Sequence, residues 1–308
     1  MSDHLTFQLG DFTTQGGATL RGAHLAYTTY GELNADKSNV IVYPTWYSGR
    51  HWDNEWLIGP GMALDPAEYF IIVPNMLGNG LSTSPSNTPP PYDRARFPDI
   101  TVYDQIEAQH KLVTEEFGIE RIALVTGWSM GAGQTFQWAV SYPEMVERIA
   151  PFCGSPRTSL HNKVFLEGVK AALTADAVYN GGWYDAEKWP TTGLRALARV
   201  YAGWGFSQAF YWRFGPPLHH SVTRLVRSVH SWERQLSPQQ LGRVLYLLRR
   251  PEGSSLDRHD LSNSPERSRG ESPRLIRERT SMGEGVREAP LYRPRAPGRR
   301  WGPGAEFA

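Results

Sequence analysis

A serine flanked by glycines lies where an apolar, strand-like run passes directly into a helix-like pattern. Residues 123–126 read ALVT, and the pentapeptide GWSMG at residues 127–131 follows without a linker. It fits G-x-S-x-G, in which a nucleophilic serine stands at the tip of a sharp strand-to-helix turn. Such a turn strains the serine backbone, and small residues two positions before and after it let neighbouring elements approach. The pattern predicts Ser129 as a catalytic nucleophile; a glycine-flanked turn without chemistry is the alternative.

Two main-chain amides are predicted to stabilise negative charge beside this serine. The turn directs the amide of Met130, together with the positive end of the following helix, toward the place where a tetrahedral oxyanion would form. A second donor in this architecture comes from the loop after an earlier strand, which here is PTWYSGRHWDNEW at residues 44–56. We predict the backbone N–H of Trp46, next to Thr45, as that donor. A compatible alternative is that the aromatic residues of the loop only pack it onto the core.

Short apolar runs alternate with helical patterns along the first half of the chain. The triplet QGG interrupts two β-rich runs between residues 5 and 30, which predicts an antiparallel hairpin. Residues 101–117 have apolar side chains near helical spacing and are followed by Gly118, a typical helix C-cap. Brief runs rich in β-branched residues predict buried strands, namely 40–45, 69–75, 121–127 and 148–155. This alternation predicts the α/β class, with a doubly wound, mostly parallel sheet.

Three regions differ in composition. Residues 1–155 form the first part of an α/β core, and residues 156–220 hold aromatic, alanine-rich amphipathic segments that predict an inserted helical cap or lid. Residues 221–308 contain 17 arginines, no lysine and 10 acidic residues, against 15 basic and 21 acidic residues in residues 1–220. With no period of 2 or 3.6, this Arg/Pro/Gly-rich tail is typical of a disordered segment or of a GC-rich gene read out of frame. We therefore expect the last strands of the fold to be missing or disrupted.

From the Ser129 turn onward the chain resembles a known family. The segment GWSMGAGQTFQWAVSYPEMVERI is similar to the nucleophile segment of homoserine O-acetyltransferases and their relatives in the α/β-hydrolase superfamily. The likeness rests on Gln134, Trp138-Ala139, Tyr142-Pro143 and Val146, and SPRTSLHNKVFLEGVKAAL extends it into the cap. The resemblance implies an α/β-hydrolase fold, a Ser-Asp-His triad and acyl transfer through an acyl-serine. Trp128 and the PTWYSG loop depart from the family's acetyltransferases and favour its hydrolase branch.

The acid and the base of the triad have no assignment from the sequence. In the superfamily both follow the serine, each after a later strand. The run RVLYLL at residues 243–248 is strand-like, but Asp257 and His259 beyond it are too close together to lie at the ends of two strands. The remaining candidates stand before a final strand or before the serine, namely His51, His161, His219, His220 and His230.

Composition also limits the partners. A single cysteine, Cys153, excludes an intrachain disulfide and a Cys-based zinc site, and it indicates a reducing compartment. Without a signal-like start or a bilayer-length apolar run, we expect a cytoplasmic protein that does not bind membranes. No cofactor or metal is predicted, although HWDNE at residues 51–55 is a weak cation candidate. Nucleic acid is not a predicted partner, because acidic residues interleave with the arginines of the tail.

The resemblance implies a small-molecule acyl donor, either an acyl-CoA or an ester, together with an acceptor and a homodimer. We predict an acyltransferase similar to homoserine O-acetyltransferase, since a hydrophobic cap that limits water would favour transfer. Two alternatives stay open: an esterase-type hydrolase of the same fold, and a catalytically incomplete protein that lacks the Asp and His of the triad.

Overall fold

The computed structural model describes residues 4–185, 188–205 and 207–214. Its strands are β1 (Leu5–Thr13), β2 (Thr19–Tyr30), β3 (Val40–Val42), β4 (Phe70–Pro74), β5 (Leu124–Trp128) and β6 (Ile149–Phe152). Its α-helices are α1 (Val102–Lys111), α2 (Met130–Ser141), α3 (Leu160–Thr174), α4 (Thr191–Gly205) and α5 (Gln208–Phe214). Short 3-10 helices at His51–Leu57, Arg94–Arg96 and Ala177–Gly182, and a π-helical turn at Leu112–Glu116, complete the described elements.

The six strands form one sheet in the order β1-β2-β4-β3-β5-β6. Strands β1 and β2 form the predicted antiparallel hairpin, and β2 also pairs antiparallel with β4. The pairs β3/β4, β3/β5 and β5/β6 are parallel, and helices α1 and α2 provide the crossovers into β5 and β6. This arrangement confirms the predicted α/β class with a mostly parallel sheet.

The central strands are buried on both faces. Val40, Val42 and Ile72 belong to the larger apolar cluster, which includes residues of α1 and α2. Ile41 and Ile71, which alternate with them, belong to a second cluster on the opposite face. Because successive side chains of a strand point to opposite faces, a strand covered on both sides reads as a continuous apolar run. The apolar runs in the sequence therefore predicted these strands correctly.

Three local predictions need correction. The single helix expected over 101–117 is α1 followed by the π-helical turn, and Gly118 then takes a φ of 58° that terminates it. The second half of the loop at residues 44–56 forms a 3-10 helix, because the Asp53 carboxylate accepts from the Arg50 amide and closes its first turn. Strand β6, expected to be buried, is half exposed: Ile149 and Phe152 are 37% and 46% accessible, since β6 pairs only with β5 among the described strands.

The segment after β6 is helical, as its aromatic and alanine-rich composition predicts. Helices α3 and α4 pack against each other around a small apolar cluster of their own, which includes Phe165, Val169 and Leu194. Tyr47, from the loop after β3, packs against both this cluster and the main core. The boundaries of the core at residue 155 and of the cap at residue 220 remain predictions. The tail at 221–308 and the predicted strand at 243–248 lie outside the described residues.

A buried carboxylate links the amino-terminal hairpin to α1. Asp104, 1% exposed, accepts hydrogen bonds from the Gln15 amide at 2.6 Å and from the amide and hydroxyl of Thr101 at 2.6 and 2.8 Å. Thr101 returns the bond by accepting from the Asp104 amide, which forms a capping box at the start of α1.

Replacing this carboxylate should therefore destabilise the core. We expect Asp104→Ala to lower the free energy of unfolding by about 2–4 kcal/mol, because the Gln15 and Thr101 amides lose their acceptor and the capping box loses its reciprocal bond. Urea unfolding followed by circular dichroism measures this loss. The control is Asp11→Ala, which removes an exposed pair with Arg21 and should cost less than about 1 kcal/mol. Equal losses in the two variants would contradict the role assigned to Asp104.

Candidate active site

Ser129 occupies the turn between β5 and α2 in a strained backbone conformation. Its φ is 55° and its ψ is −114°, a region that costs a residue with a side chain roughly 1–3 kcal/mol. The Ser129 amide donates to the Phe152 carbonyl of β6 at 2.9 Å, and the Ser129 carbonyl accepts from the Ala132 amide at 3.0 Å. These bonds hold the turn while the Ser129 side chain remains exposed. Its hydroxyl thus lies outside the sheet, as a nucleophile requires.

The glycines around Ser129 allow main chains to approach closely. A methyl group added at Gly127 would lie 2.3 Å from the Gly131 carbonyl oxygen, and one added at Gly131 would lie 2.8 Å from the Pro44 carbonyl oxygen. A methyl group at Gly154, after β6, would lie 2.7 Å from the Ser129 carbonyl oxygen. Each distance is well below van der Waals contact, so no side chain fits at these positions. The sequence argument for small residues two before and two after the serine thus has a direct structural basis.

The two predicted oxyanion donors lie in adjacent parts of the structure. Met130 is the first residue of α2, where amides have no acceptor within the helix and carry the positive end of its dipole. The loop after β3 reaches the start of α2, since the Pro44 and Thr45 carbonyls are the neighbours of Gly131. Trp46 follows in that loop and is half buried, with its ring against Gly49. Its role as second donor stays a prediction.

A cavity of about 710 Å³ opens beside Ser129 between α2 and the helices α3 and α4. Met130 lines it from α2 and Tyr47 from the loop after β3, whereas Trp46 does not line it. Phe165, Tyr201 and Trp204 form an aromatic wall from α3 and α4. Within this wall the rings of Phe165 and Trp204 stack at 4.7 Å between centroids, and Tyr201 meets Phe165 edge-on at 5.1 Å. The volume suits a small organic molecule.

The described residues that line this cavity carry no formal charge. Among the described residues that line it there is no Asp, Glu, Lys, Arg or His, and the polar groups are hydroxyls, amides and the Cys153 thiol. Burial raises the pKa of Tyr201, which keeps that phenol neutral. These described lining residues therefore offer a substrate hydrogen bonds and apolar surface, and no counter-ion.

Of the candidate histidines, the two that the structure describes contact groups other than Ser129. His51 is buried and bonds to the Asn75 side chain at 3.0 Å, and His161 packs on Trp204 with ring centroids 4.5 Å apart. The Ser129 hydroxyl does not cap the first turn of α2. The later candidates lie outside the described residues, namely His219, His220, His230, Asp257 and His259. The acid and base of the triad therefore have no assignment.

The weak cation candidate at residues 51–55 is used in local hydrogen bonding. Asp53 accepts from the Arg50 amide at 2.7 Å, while the Glu55 carboxylate accepts from the Tyr30 hydroxyl at 2.8 Å. With His51 bonded to Asn75, the three side chains are directed to separate partners. Within the described part of the chain, no cluster of His, Cys, Asp and Glu forms a metal site.

Sequence reasoning did not identify the aromatic lining of the cavity. Tyr47, Phe165, Tyr201 and Trp204 come from three segments, and only the unusual density of aromatic residues in the loop after β3 and in α3 and α4 hinted at a shared surface.

Comparison with known proteins agrees with this geometry. Residues 39–185 match the family described as alpha/beta hydrolase fold. The chain is 43% identical over 213 residues to ethyl acetate hydrolase of Pseudomonas veronii, covering 68% of this chain and 61% of that protein. It is 34% identical over 278 residues to homoserine O-acetyltransferase of Chlorobium chlorochromatii, covering 87% of this chain and 76% of that protein. The chain belongs to the α/β-hydrolase family, and the predicted resemblance is confirmed.

A solved structure supports the same assignment. An acetylester hydrolase from Corynebacterium glutamicum superposes with a TM-score of 0.74 at 34% identity, covering 84% of this chain and 75% of that one. The chain spans about three fifths of the length of the esterases it matches in sequence, as the 61% covered of ethyl acetate hydrolase illustrates. No described helix has the length and apolar character to cross a bilayer.

The close approach of main chains around Ser129 gives a stability prediction. Gly127→Ala should lower the free energy of unfolding by roughly 1–3 kcal/mol, because the new methyl group meets the Gly131 carbonyl rather than a side chain that could move. Gly133→Ala, in α2 and with open space around it, should instead raise stability by about 0.5–1 kcal/mol. Chemical denaturation measures both. A neutral Gly127→Ala would show that the turn does not need a small residue there.

Proposed function

We propose that this protein cleaves a small, uncharged carboxylic ester through an acyl-Ser129 intermediate. The Ser129 hydroxyl oxygen attacks the ester carbonyl carbon, and its proton passes to a general base that the described residues do not include. The tetrahedral oxyanion accepts hydrogen bonds from the amides of Met130 and Trp46. Collapse of this intermediate breaks the bond to the alcohol oxygen, which leaves with a proton. Water then attacks the acyl-serine and releases the acid and the free hydroxyl.

One observation carries the choice of substrate: Ser129 faces a cavity of about 710 Å³ whose described lining has no charged side chain. An ion that enters such a cavity loses its hydration without gaining a counter-ion, which costs several kcal/mol. A neutral ester meets no such penalty, and the aromatic wall provides apolar surface for it. The likeness to ethyl acetate hydrolase supports the same substrate class.

Acyl transfer to an amino-acid hydroxyl, as in homoserine O-acetyltransferase, is the second candidate. The alignment with that relative covers more of this chain than the one with ethyl acetate hydrolase, 87% against 68%. Arg157 lies between the cavity-lining residues Pro156 and Thr158 without lining the cavity itself, and it is a candidate partner for the carboxylate that such an acceptor would bring. An acyl-CoA donor and a homodimer belong to this candidate and stay predictions.

The nucleophile is tested by its removal. Ser129→Ala should lower the hydrolysis of p-nitrophenyl acetate by roughly 10⁴-fold or more, because no covalent intermediate can form. It should also abolish labelling by a fluorophosphonate probe, with the labelled peptide identified by mass spectrometry. Ser86→Ala, which changes an exposed loop serine, serves as the matched control and should keep both activities. A full-length wild-type chain that neither hydrolyses the ester nor takes the probe would favour the catalytically incomplete alternative.

The neutral cavity is tested by a pair of esters that differ in charge. We expect kcat/KM for p-nitrophenyl hemisuccinate to be at least about 100-fold below that for p-nitrophenyl butyrate, because the carboxylate would be buried without a partner. The two acyl groups have similar length, so size does not explain a difference. Preference for the hemisuccinate would contradict the proposed neutral substrate. Transfer of acetyl to homoserine faster than to water would favour acyl transfer, the second candidate, over ester hydrolysis.

A further inference from the structure

A chain of buried side chains runs from Trp138 on α2 to Gln109 on α1, returns to Gln134 on α2 and ends in the loop after β3. The Trp138 indole donates to Gln109 Oε1 at 2.9 Å, Gln109 Nε2 donates to Gln134 Oε1 at 2.6 Å, and Gln134 Nε2 donates to the Thr45 carbonyl at 2.9 Å. Thr45, Gln109, Gln134 and Trp138 all have 0% exposure. Apolar residues could fill the same space, so a connected polar chain at this depth calls for a specific reason.

The direction of this chain is determined at both ends. An indole N–H can only donate, and a carbonyl oxygen can only accept. Gln109 must therefore present its oxygen to Trp138 and its amide nitrogen to Gln134. Gln134 must in turn present its oxygen to Gln109 and its nitrogen to Thr45. If either glutamine amide rotated by 180°, a donor would face a donor or an acceptor would face an acceptor in at least one of these hydrogen bonds.

The last bond of the chain holds the peptide group that joins Thr45 to Trp46. In a planar trans peptide the C=O of one residue and the N–H of the next point in opposite directions. When Gln134 holds the Thr45 oxygen, it also sets the direction of the Trp46 N–H. Gln134 approaches from the core, and Tyr47, directly beyond Trp46, lines the cavity beside Ser129.

We infer that Gln134 is a positioning residue, which orients the Trp46 amide as an oxyanion donor and is itself held by Gln109 and Trp138. This inference rests on the proposed function, because it assigns Gln134 to the same site. Gln134 lies on the helix that begins at Ser129, so the helix that presents the nucleophile also sets the second donor. The Met130 and Trp46 amides are therefore both positioned by α2.

A matched pair of variants separates positioning from stability. Gln134→Met keeps the length of the side chain and removes the hold on Thr45. Gln105→Met is the control, because Gln105 is likewise a buried glutamine. Its two hydrogen bonds, at 2.8 and 2.9 Å, join it to the main chain of Leu77 and not to the loop after β3. We expect Gln134→Met to lower kcat for p-nitrophenyl acetate roughly 10- to 100-fold, part of the loss seen when an oxyanion donor is removed. KM should change less than about threefold, because the donor acts mainly on the transition state.

The control should keep kcat within about twofold of wild type while it loses comparable stability in urea. Equal losses of kcat in the two variants would overturn the inference, since general destabilisation would then explain both.

A second variant serves if Gln134→Met does not fold. Gln134→Glu keeps the shape, and its protonated acid can donate to Thr45 and accept from Gln109, whereas its carboxylate cannot donate. The ratio of its kcat to that of wild type should fall as pH rises and the carboxyl ionises. A ratio independent of pH would overturn the inference, because a purely structural glutamine gives no such profile.

Failure of the proposed function has a different signature. If wild type shows neither hydrolysis nor labelling at Ser129, ester cleavage is refuted, and amide hydrogen exchange at residues 45–50 decides the positioning role separately. Faster exchange of the Trp46 amide in Gln134→Met than in Gln105→Met would support the hold on this peptide. Equal exchange in the two variants would contradict it.

Discussion

The main-chain conformation of Ser129 is the constraint on which the rest of the site depends. A φ of 55° at a residue with a side chain is unfavourable, and it persists because the elements on all sides hold it. The Phe152 carbonyl of β6 accepts a hydrogen bond from the Ser129 amide, and the Ala132 amide in the first turn of α2 donates to the Ser129 carbonyl. The glycines at 127, 131 and 154 let these main chains come within distances that no side chain would permit. The strained backbone of Ser129 thus lowers the stability of the fold and in return exposes the Ser129 hydroxyl.

The position of Ser129 at the end of β5 follows from the parallel sheet. In open α/β sheets, ligand sites lie at the carboxyl ends of parallel strands, where the loops that leave those strands meet. Strand β3 neighbours β5, so the loop after β3 lies next to the turn after β5. The helices α3 and α4 then cover this edge with aromatic side chains. The core supplies the nucleophile and the candidate oxyanion donors, while the added helices supply most of the apolar surface that a substrate would meet.

The polar groups near the site divide into two kinds. Those of the described residues that line the cavity are neutral hydroxyls, amides and a thiol, which suits a substrate without charge. Those beneath it, Gln109 and Gln134, face away from the cavity and are fully paired. Because hydrogen bonds are stronger and more directional where water is excluded, the buried pair can hold a loop in one orientation.

Local sequence determined much of this protein. Continuous apolar runs identified β3, β4 and β5 because each is covered on both faces, and G-x-S-x-G identified the strained turn because its steric demand falls within five residues. Local patterns predicted less well where neighbours decide the outcome: β6 has the composition of a buried strand but is half exposed, and the helix at 101–117 changes to a π-helical turn.

Only the tertiary structure decided which distant residues meet. The bond between Gln134 and Thr45 spans 89 positions in the chain, and it exists because the sheet order places β3 beside β5. Tyr47, Tyr201 and Trp204 share a cavity for the same kind of reason. A periodic sequence pattern shows which face of its helix or strand a residue lies on. Which other element that face contacts depends on how the helices and strands pack together.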